Sequence, residues 1–325
     1  MSIKRITDKV IFLMGPTASG KTELTLRLKS KFPLEIISVD SSQVYRGFDI
    51  GSAKPSKEML DKHPHRLINL RNPSESYNVS EFIDDAKCAI SEIISKGRVP
   101  ILVGGSMLYF KSLLSGINDL PKADLDLRQI IEEKAENYGW PTLHNHLKQI
   151  DPLTAEKLHP NHSNRIQRAL EVYYKSGVPL SVLQTEFNKS GISEKYSVLQ
   201  LGLLVNDRSV LYRRIEERFF TMIDHGLLHE VKELFARGEL DLDTPASRSV
   251  GYRQLRDWCS GDLDLDDAIG LGIQATRNLA KRQLTWLRKW PNLQTCDIDN
   301  AGKLLTCLEL ENKVSKLVSD HLLLQ

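Results

Sequence analysis

Along the first hundred residues the apolar positions fall in short unbroken runs rather than in strict alternation. Residues 10–14 (Val-Ile-Phe-Leu-Met), 34–39 (Leu-Glu-Ile-Ile-Ser-Val) and 99–103 (Val-Pro-Ile-Leu-Val) each read as a strand buried on both faces, the pattern of a parallel sheet covered by helices. Between them the period switches to that of a helix, over 23–31, over 80–96 with Ser80 as N-cap and Gly97 as stop, and over 107–115. A shorter strand is expected at 65–70. Residues 47–55 (G-F-D-I-G-S-A-K-P) are too rich in Gly, Ser and Pro for a regular element and read as an ordered loop. From about 118 to 195 the spacing is helical throughout, as in 125–137, 140–150 and 165–174, until a strand returns at 196–205. A helical stretch between two core strands is most simply an inserted subdomain. The chain therefore divides into a first core part (1–117), a helical insertion (118–195) and a second core part (196–325). That last part carries a charged helical region at 208–238, a helix within 271–291 and a closing helix within 301–325.

The junction after the first strand carries chemistry. Gly15-Pro16-Thr17-Ala18-Ser19-Gly20-Lys21-Thr22 fits G-x-x-x-x-G-K-[ST] at every fixed position, with a strand before it and a helix after it. The glycines let the backbone curl so that successive N–H groups point inward at the positive end of the helix, and Lys21 adds a point charge. Thr22 supplies a hydroxyl for Mg²⁺, so a ligand bearing a pyrophosphate is expected. A plain Gly-rich turn would need neither the Lys nor the Thr. The expected fold class is α/β, a P-loop NTPase-like parallel sheet flanked by helices, with the all-helical subdomain inserted in it.

Two further strand ends fall on the same side of such a sheet, where ligands bind. The second strand ends in Asp40-Ser41-Ser42-Gln43, and Asp40 there is either a turn or cap residue or a group for chemistry. The third ends in Gly104-Gly105-Ser106 and feeds a helix, a second place built for close approach to an anion.

Composition narrows the class without naming a substrate. With 325 residues, 41% hydrophobic and 26% charged, the chain is that of a globular protein with material for a sizeable core. Its net charge of +2 means that any nucleic-acid surface must be local. Cys88, Cys259, Cys296 and Cys307 are scattered, with no metal-ligand spacing, as for ordinary thiols in a reducing compartment. His63 and His65 stand without companions at such spacing and read as surface or core residues. No apolar run is long enough to span a bilayer, and residues 1–5 lack the apolar stretch of a signal peptide, so a cytoplasmic location and no membrane contact are expected. Arg165 and Arg168 share one helix face. Within 271–291, Arg277, Lys281, Arg282, Arg288 and Lys289 meet no acidic residue and interleave with Trp286 and Trp290. Such a segment either follows a phosphate backbone or is a solvated helix face with core tryptophans.

Six stretches together closely resemble the tRNA dimethylallyltransferases, also called tRNA isopentenyltransferases. They are G-P-T-A-S-G-K-T (15–22), I-S-V-D-S-S-Q-V-Y-R-G-F-D-I-G-S-A-K-P (37–55), L-V-G-G-S-M-L-Y (102–109), H-P-N-H-S-N-R-I-Q-R-A-L-E-V (159–172), R-S-V-G-Y-R-Q (248–254) and T-R-N-L-A-K-R-Q-L-T-W-L-R (276–288). The first is shared with any P-loop protein, whereas the others in combination are specific. The resemblance implies transfer of a dimethylallyl group from dimethylallyl diphosphate to N6 of the adenosine on the 3′ side of the anticodon, with Mg²⁺ as cofactor. It also implies a channel that the donor and a flipped base enter from opposite mouths. The partner would be the anticodon stem-loop of tRNA, met by a chain expected to act as a monomer. The absence of a C₂H₂ finger after the core points to the bacterial form.

The site roles implied by the resemblance suit the reaction. Breaking an allylic C–O bond leaves negative charge on the departing diphosphate, which Thr17, Ser19, Gly20, Lys21 and Thr22 with Mg²⁺ would stabilise. Arg218 and Arg128 would assist from outside the loop, and Ser106 would lend a hydroxyl where the family usually has Thr. Adenine N6 loses its proton only as the new bond forms, so a carboxylate suffices as base, and that role falls to Asp40. Asp40, Ser41, Ser42, Gln43 and Ser106 would meet the target base. Arg128, the tract Asn164, Arg165, Ile166, Gln167 and Arg168, the tract Arg248, Ser249, Val250, Gly251, Tyr252 and Arg253, and the tract Lys281, Arg282, Gln283, Leu284, Thr285, Trp286, Leu287 and Arg288 would hold the tRNA. The alternative is a P-loop kinase that binds ATP and phosphorylates a small molecule or nucleotide. It accounts for 15–22 and the sheet, and gives no reason for the basic tract or the insertion.

Overall fold

The structure is a computed structural model describing residues 8–118, 120–186, 190–241 and 244–323; residues 1–5, read above for a signal, and the last two positions of the closing segment lie outside it. The chain divides into two compact units, one formed by residues 1–114 and 192–325 and the other by residues 115–191.

In the larger unit the elements run β1 (Lys9–Met14), α1 (Lys21–Lys31), β2 (Leu34–Val39), α2 (Lys57–Lys62), β3 (His65–Arg66), α3 (Val79–Ser95), β4 (Val99–Gly104) and α4 (Met107–Ser115). The smaller unit holds α5 (Leu125–Tyr138), α6 (Trp140–Ile150), α7 (Pro152–Glu156), α8 (Ser163–Ser176) and α9 (Leu180–Glu186). The larger unit resumes with β5 (Ser197–Leu204), α10 (Arg208–Asp224), α11 (Leu227–Ala236), α12 (Tyr252–Cys259), α13 (Leu265–Arg288), β6 (Gln294–Asp297), a two-stranded ribbon of β7 (Asp299–Asn300) and β8 (Lys303–Leu304), and α14 (Cys307–Leu323).

Six strands form one sheet in the order β3-β2-β4-β1-β5-β6, every pair parallel. The unbroken apolar runs have the expected cause: Val10, Ile11, Phe12, Leu13 and Met14 are all fully buried, each contributing roughly 1.5–3 kcal/mol of burial free energy. Ile11 and Leu13 join Leu24, Leu28, Leu284 and Val314 on one face. Phe12 points the other way and meets Phe110 of α4, ring centroids 4.9 Å apart. Helices thus cover both faces. Ile131, Leu147, Ile166 and Leu170 form a separate core within the smaller unit.

The expected fold class stands, with local differences. Helix α3 starts one residue early, because Asn78 rather than Ser80 caps it: Asn78 Oδ1 accepts from Ser80 N and Glu81 N, and Glu81 Oε2 accepts from Asn78 N. Strand β3 ends after two residues, where Leu67 and Asn69 adopt φ of 63° and 56°. The charged region 208–238 is two helices separated by Gly226, whose φ of 99° suits glycine alone. Helix α13 begins earlier than expected, capped by Asp264, and strand β6 was not foreseen because Gln-Thr-Cys-Asp carries no apolar run.

Candidate active site

The strand order brings three chemical ends together, since β4 lies between β1 and β2. The P-loop follows β1, Asp40 follows β2, and Gly104 closes β4. Gly15 N donates to Gly104 O (3.3 Å) and Ser106 N to Val39 O (3.3 Å), tying the ends side by side. A side chain on Gly104 would collide with the Val39 carbonyl, and one on Gly105 with the Gln283 amide, so both glycines are required by close approach.

Ala18 (φ 61°) and Gly20 (φ 87°) curl the P-loop. Lys21 Nζ donates to Gly15 O (3.0 Å), Pro16 O (2.6 Å) and Ser19 Oγ (3.4 Å), so the loop holds its own lysine. Burial and the nearby Arg218 lower the Lys21 ammonium to about 7, with Asp40 pulling it back up. Burial also lowers Arg218, and Asp40 again opposes the shift. Arg214 and Arg218, one helical turn apart on α10, both line the cavity above the loop. Arg214 was not singled out from the sequence, although its i,i+4 spacing from Arg218 was the available signal.

Asp40 fills both of its possible roles. Its Oδ1 accepts from Ser42 N (2.8 Å) and Gln43 N (3.3 Å), the geometry of an Asx-turn, while the residue lines the same cavity as Lys21. Ser106 Oγ accepts from Ser41 N (3.2 Å), and Ser42 Oγ donates to Ser249 Oγ (3.3 Å). One cavity of about 1210 Å³ is lined by residues 17–23, 40–43, 51–56 and 104–109, by Arg248, Ser249, Val250 and Gly251, and by Arg282, Gln283 and Trp286.

Some residues of the expected tRNA tracts are core instead. Ile166 and Leu284 are buried in hydrophobic clusters, Leu287, Gly251 and Tyr252 are buried, and Gln167 donates to Arg128 O and Glu132 Oε1. Residues 164–168 and 281–288 lie on helices α8 and α13, whose inward positions must pack, while 249–251 form the turn before α12. Gln283 is likewise structural: its Oε1 accepts from Thr17 N (2.9 Å) and its Nε2 donates to Gly105 O (3.0 Å), joining α13 to the P-loop. Arg128 lies in the smaller unit, where it and Arg168 clamp the fully buried Glu171. Asn164, Arg165, Arg248, Arg253, Lys281, Arg282, Thr285 and Arg288 are exposed.

The segment 271–291 combines both of its readings. Trp290 is buried and donates to Gln200 Oε1 (2.7 Å), and Arg277 is paired with Glu216 (2.6 Å). Trp286 is exposed, with Lys111 Nζ 5.7 Å from its ring. For a divalent metal, no group of three or more His, Cys, Asp or Glu among the described residues could hold one. The exposed Thr22 hydroxyl on the cavity wall fits Mg²⁺ only in company with diphosphate oxygens and water, the donors that this ion favours.

A family model described as IPP transferase matches residues 43–290. The chain belongs to that family. It is 49% identical over 314 residues, 96% of each chain, to a tRNA dimethylallyltransferase of Thiobacillus denitrificans. Among solved structures it is similar to a full-length tRNA isopentenylpyrophosphate transferase from Bacillus halodurans, with TM-score 0.70 and 36% identity over 97% of both chains. A eukaryotic dimethylallyltransferase acting on tRNA matches with TM-score 0.78 and 28% identity, over 96% of this chain and 79% of that one. The kinase alternative gains no support from these relatives. Among the described residues no helix is long and apolar enough to cross a membrane.

Proposed function

We propose that this member of the IPP transferase family transfers a dimethylallyl group from dimethylallyl diphosphate to N6 of the adenosine immediately 3′ of the anticodon in tRNA. The observation that carries this reading is the single cavity lined by both the P-loop and the Asp40 turn. Such a cavity lets a diphosphate rest on the N–H groups at the start of α1 while the amine approaches from the Asp40 side.

In that arrangement N6 attacks the allylic carbon, the C–O bond breaks, and its electron pair leaves with the diphosphate. The N6 proton passes to Asp40, whose Oδ1 is held by two main-chain donors, which leaves Oδ2 to accept it. Lys21, Arg214 and Arg218 receive the growing negative charge on the leaving group. Thr22 would hold a Mg²⁺ ion together with the diphosphate, and the ion would supply further charge neutralisation there. Exposed Asn164, Arg165, Arg248, Arg253, Lys281, Arg282 and Arg288 offer contacts to the anticodon stem-loop. The reaction belongs in the cytoplasm, where tRNA is available, with the monomer as the working unit.

The test is incubation with bulk unmodified tRNA, dimethylallyl diphosphate and Mg²⁺, followed by digestion and mass analysis. Prenylated adenosine is the expected product. Unchanged adenosine after prolonged incubation with donor still in excess would remove the reading.

A further inference from the structure

The loop formed by residues 49–53 lines the cavity with Gly51, Ser52 and Ala53, and its order has a specific source. Glu230 of α11 receives three successive main-chain N–H groups: Oε2 from Asp49 (3.1 Å) and Ile50 (2.7 Å), and Oε1 from Gly51 (3.1 Å). The Tyr252 hydroxyl donates to Glu230 Oε1 (2.6 Å) and accepts from Ser52 N (3.1 Å), which adds a fourth main-chain donor to the cradle. Gly51 permits this approach, since a Cβ there would lie 2.6 Å from Tyr252 Cζ. Charge-assisted bonds of this kind are the strong ones, and Glu230 accepts four of them, three from the loop main chain and one from the Tyr252 hydroxyl.

The far side of the same loop holds the Gln43 side chain. Ser52 O and Ala53 O accept from Gln43 Nε2 at 3.4 and 3.3 Å, while Gln43 Oε1 accepts from Ser38 Oγ (3.0 Å). With both ends of its amide occupied, Gln43 presents its own N–H to Asp40 Oδ1. Lys54 completes the frame. Its ammonium is almost wholly buried and donates to Tyr45 O (2.8 Å), Asp49 Oδ1 (2.6 Å) and Asn69 Oδ1 (2.6 Å), which uses all three of its protons.

We propose that Glu230 and Tyr252 are positioning residues for Asp40, acting through the loop 49–53 and the side chain of Gln43 to fix which carboxylate oxygen faces the cavity. The inference rests on the prenyl-transfer reading, in which Asp40 is the base. Neither residue lines the cavity. Tyr252, whose tract was expected to hold tRNA, is 1% exposed and packs at a tilt against Phe48 with ring centroids 4.2 Å apart. Misplacing a general base slows the proton-transfer step while leaving the donor's anchorage on the P-loop as it was.

The test compares Glu230→Gln and Tyr252→Phe with the wild-type chain, measuring single-turnover prenyl transfer with both substrates saturating, KM for dimethylallyl diphosphate, tRNA affinity and the thermal midpoint. Tyr252→Phe keeps the ring on Phe48 and loses only the hydroxyl, so it decides the matter if Glu230→Gln fails to fold. The expected result is a five- to hundredfold loss in the single-turnover rate, with KM and tRNA affinity within threefold and Tyr252→Phe still folded at assay temperature. In an Asp40→Asn background the Tyr252→Phe change should cost nothing further, because the base it orients is already gone. A Tyr252→Phe rate within twofold of wild type, a loss carried by KM, or full additivity with Asp40→Asn would overturn the proposal. A wild-type chain that fails to prenylate tRNA would instead strike the underlying reading, so the two failures are distinguishable.

Discussion

Gln283 Oε1 accepts a hydrogen bond from the Thr17 main-chain N–H at 2.9 Å, so a residue near the end of the chain shapes the P-loop near its beginning. The same amide donates to Gly105 O, which makes Gln283 the only described side chain bonded to both the P-loop main chain and the β4 turn. Gln283→Ala leaves a part-buried N–H and a carbonyl without partners, a cost of about 1–3 kcal/mol. The expected outcome is a KM for dimethylallyl diphosphate raised roughly five- to hundredfold, the rate equivalent of that cost, with tRNA affinity little changed. Steady-state kinetics with each substrate varied in turn checks it.

Asp40→Ala and Asp40→Asn separate the two jobs of that carboxylate. Asparagine keeps an Oδ1 for Ser42 N and Gln43 N and preserves the turn, while alanine loses it. Both variants should lose turnover by about 10²–10⁴, the usual worth of a general base, with tRNA affinity within a few fold. Only the alanine variant should also lose stability. An asparagine variant that retains most activity would remove Asp40 as the base.

Lys21 carries the pH dependence of donor binding. Its folded value of about 7 lies below its ordinary 10.5, so the unfolded chain holds the extra proton between those limits. The contribution of this group to stability is therefore least favourable below pH 7 and improves as pH rises through that window. A bound diphosphate favours the ammonium and reverses the shift, so binding above pH 7 takes up a proton. The dissociation constant for dimethylallyl diphosphate, measured without tRNA, should weaken with pH above 7 by at most about tenfold per unit. Lys21→Met should bind weakly at all pH values and show only the titration of the ligand itself. Calorimetry in two buffers of different ionisation heat reads the proton uptake directly.

Exposed Lys281 and Arg282 face solvent on α13, whereas Arg277 on the same helix is engaged with Glu216. Replacing both by alanine should weaken tRNA binding and lower the slope of log affinity against log salt by roughly 1.4–1.8, the sum for two phosphate contacts. Filter binding across a salt series checks it, and an unchanged slope would make the tract structural.

Gly104→Ala tests the crowding of strand ends. Its Cβ would meet the Val39 carbonyl in the adjacent strand, where neither backbone can yield. A loss of about 3 kcal/mol in folding stability is expected, read as a lower urea midpoint with unchanged slope.

Much of this was legible from order along the chain. Val10 to Met14 read as a strand buried on both faces, and a Gly-rich loop followed by Lys21 and Thr22 at a helix start read as a phosphate cradle in preference to a plain turn, because both patterns are set by neighbours within a few residues. Asp40 was legible as a candidate for the same local reason, standing just past the end of a strand. Tyr252 and Gln283 were not. Each sits in a tract with exposed basic members, and nothing in the spacing marks one position as turned inward toward a loop some two hundred or more residues away. Strand β6 was missed because its edge position asks for no apolar run, and Asn78 displaced Ser80 as a cap because Glu81 completes a box with it. The sequence by itself determined the buried core strands, the phosphate loop and the family. Tertiary packing alone decided that the ends of β1, β2 and β4 share one cavity, and that Glu230, Tyr252 and Gln283 hold its walls. Hydrogen bonds between distant segments depend on how strands are ordered in space, and that order leaves no local trace in the chain.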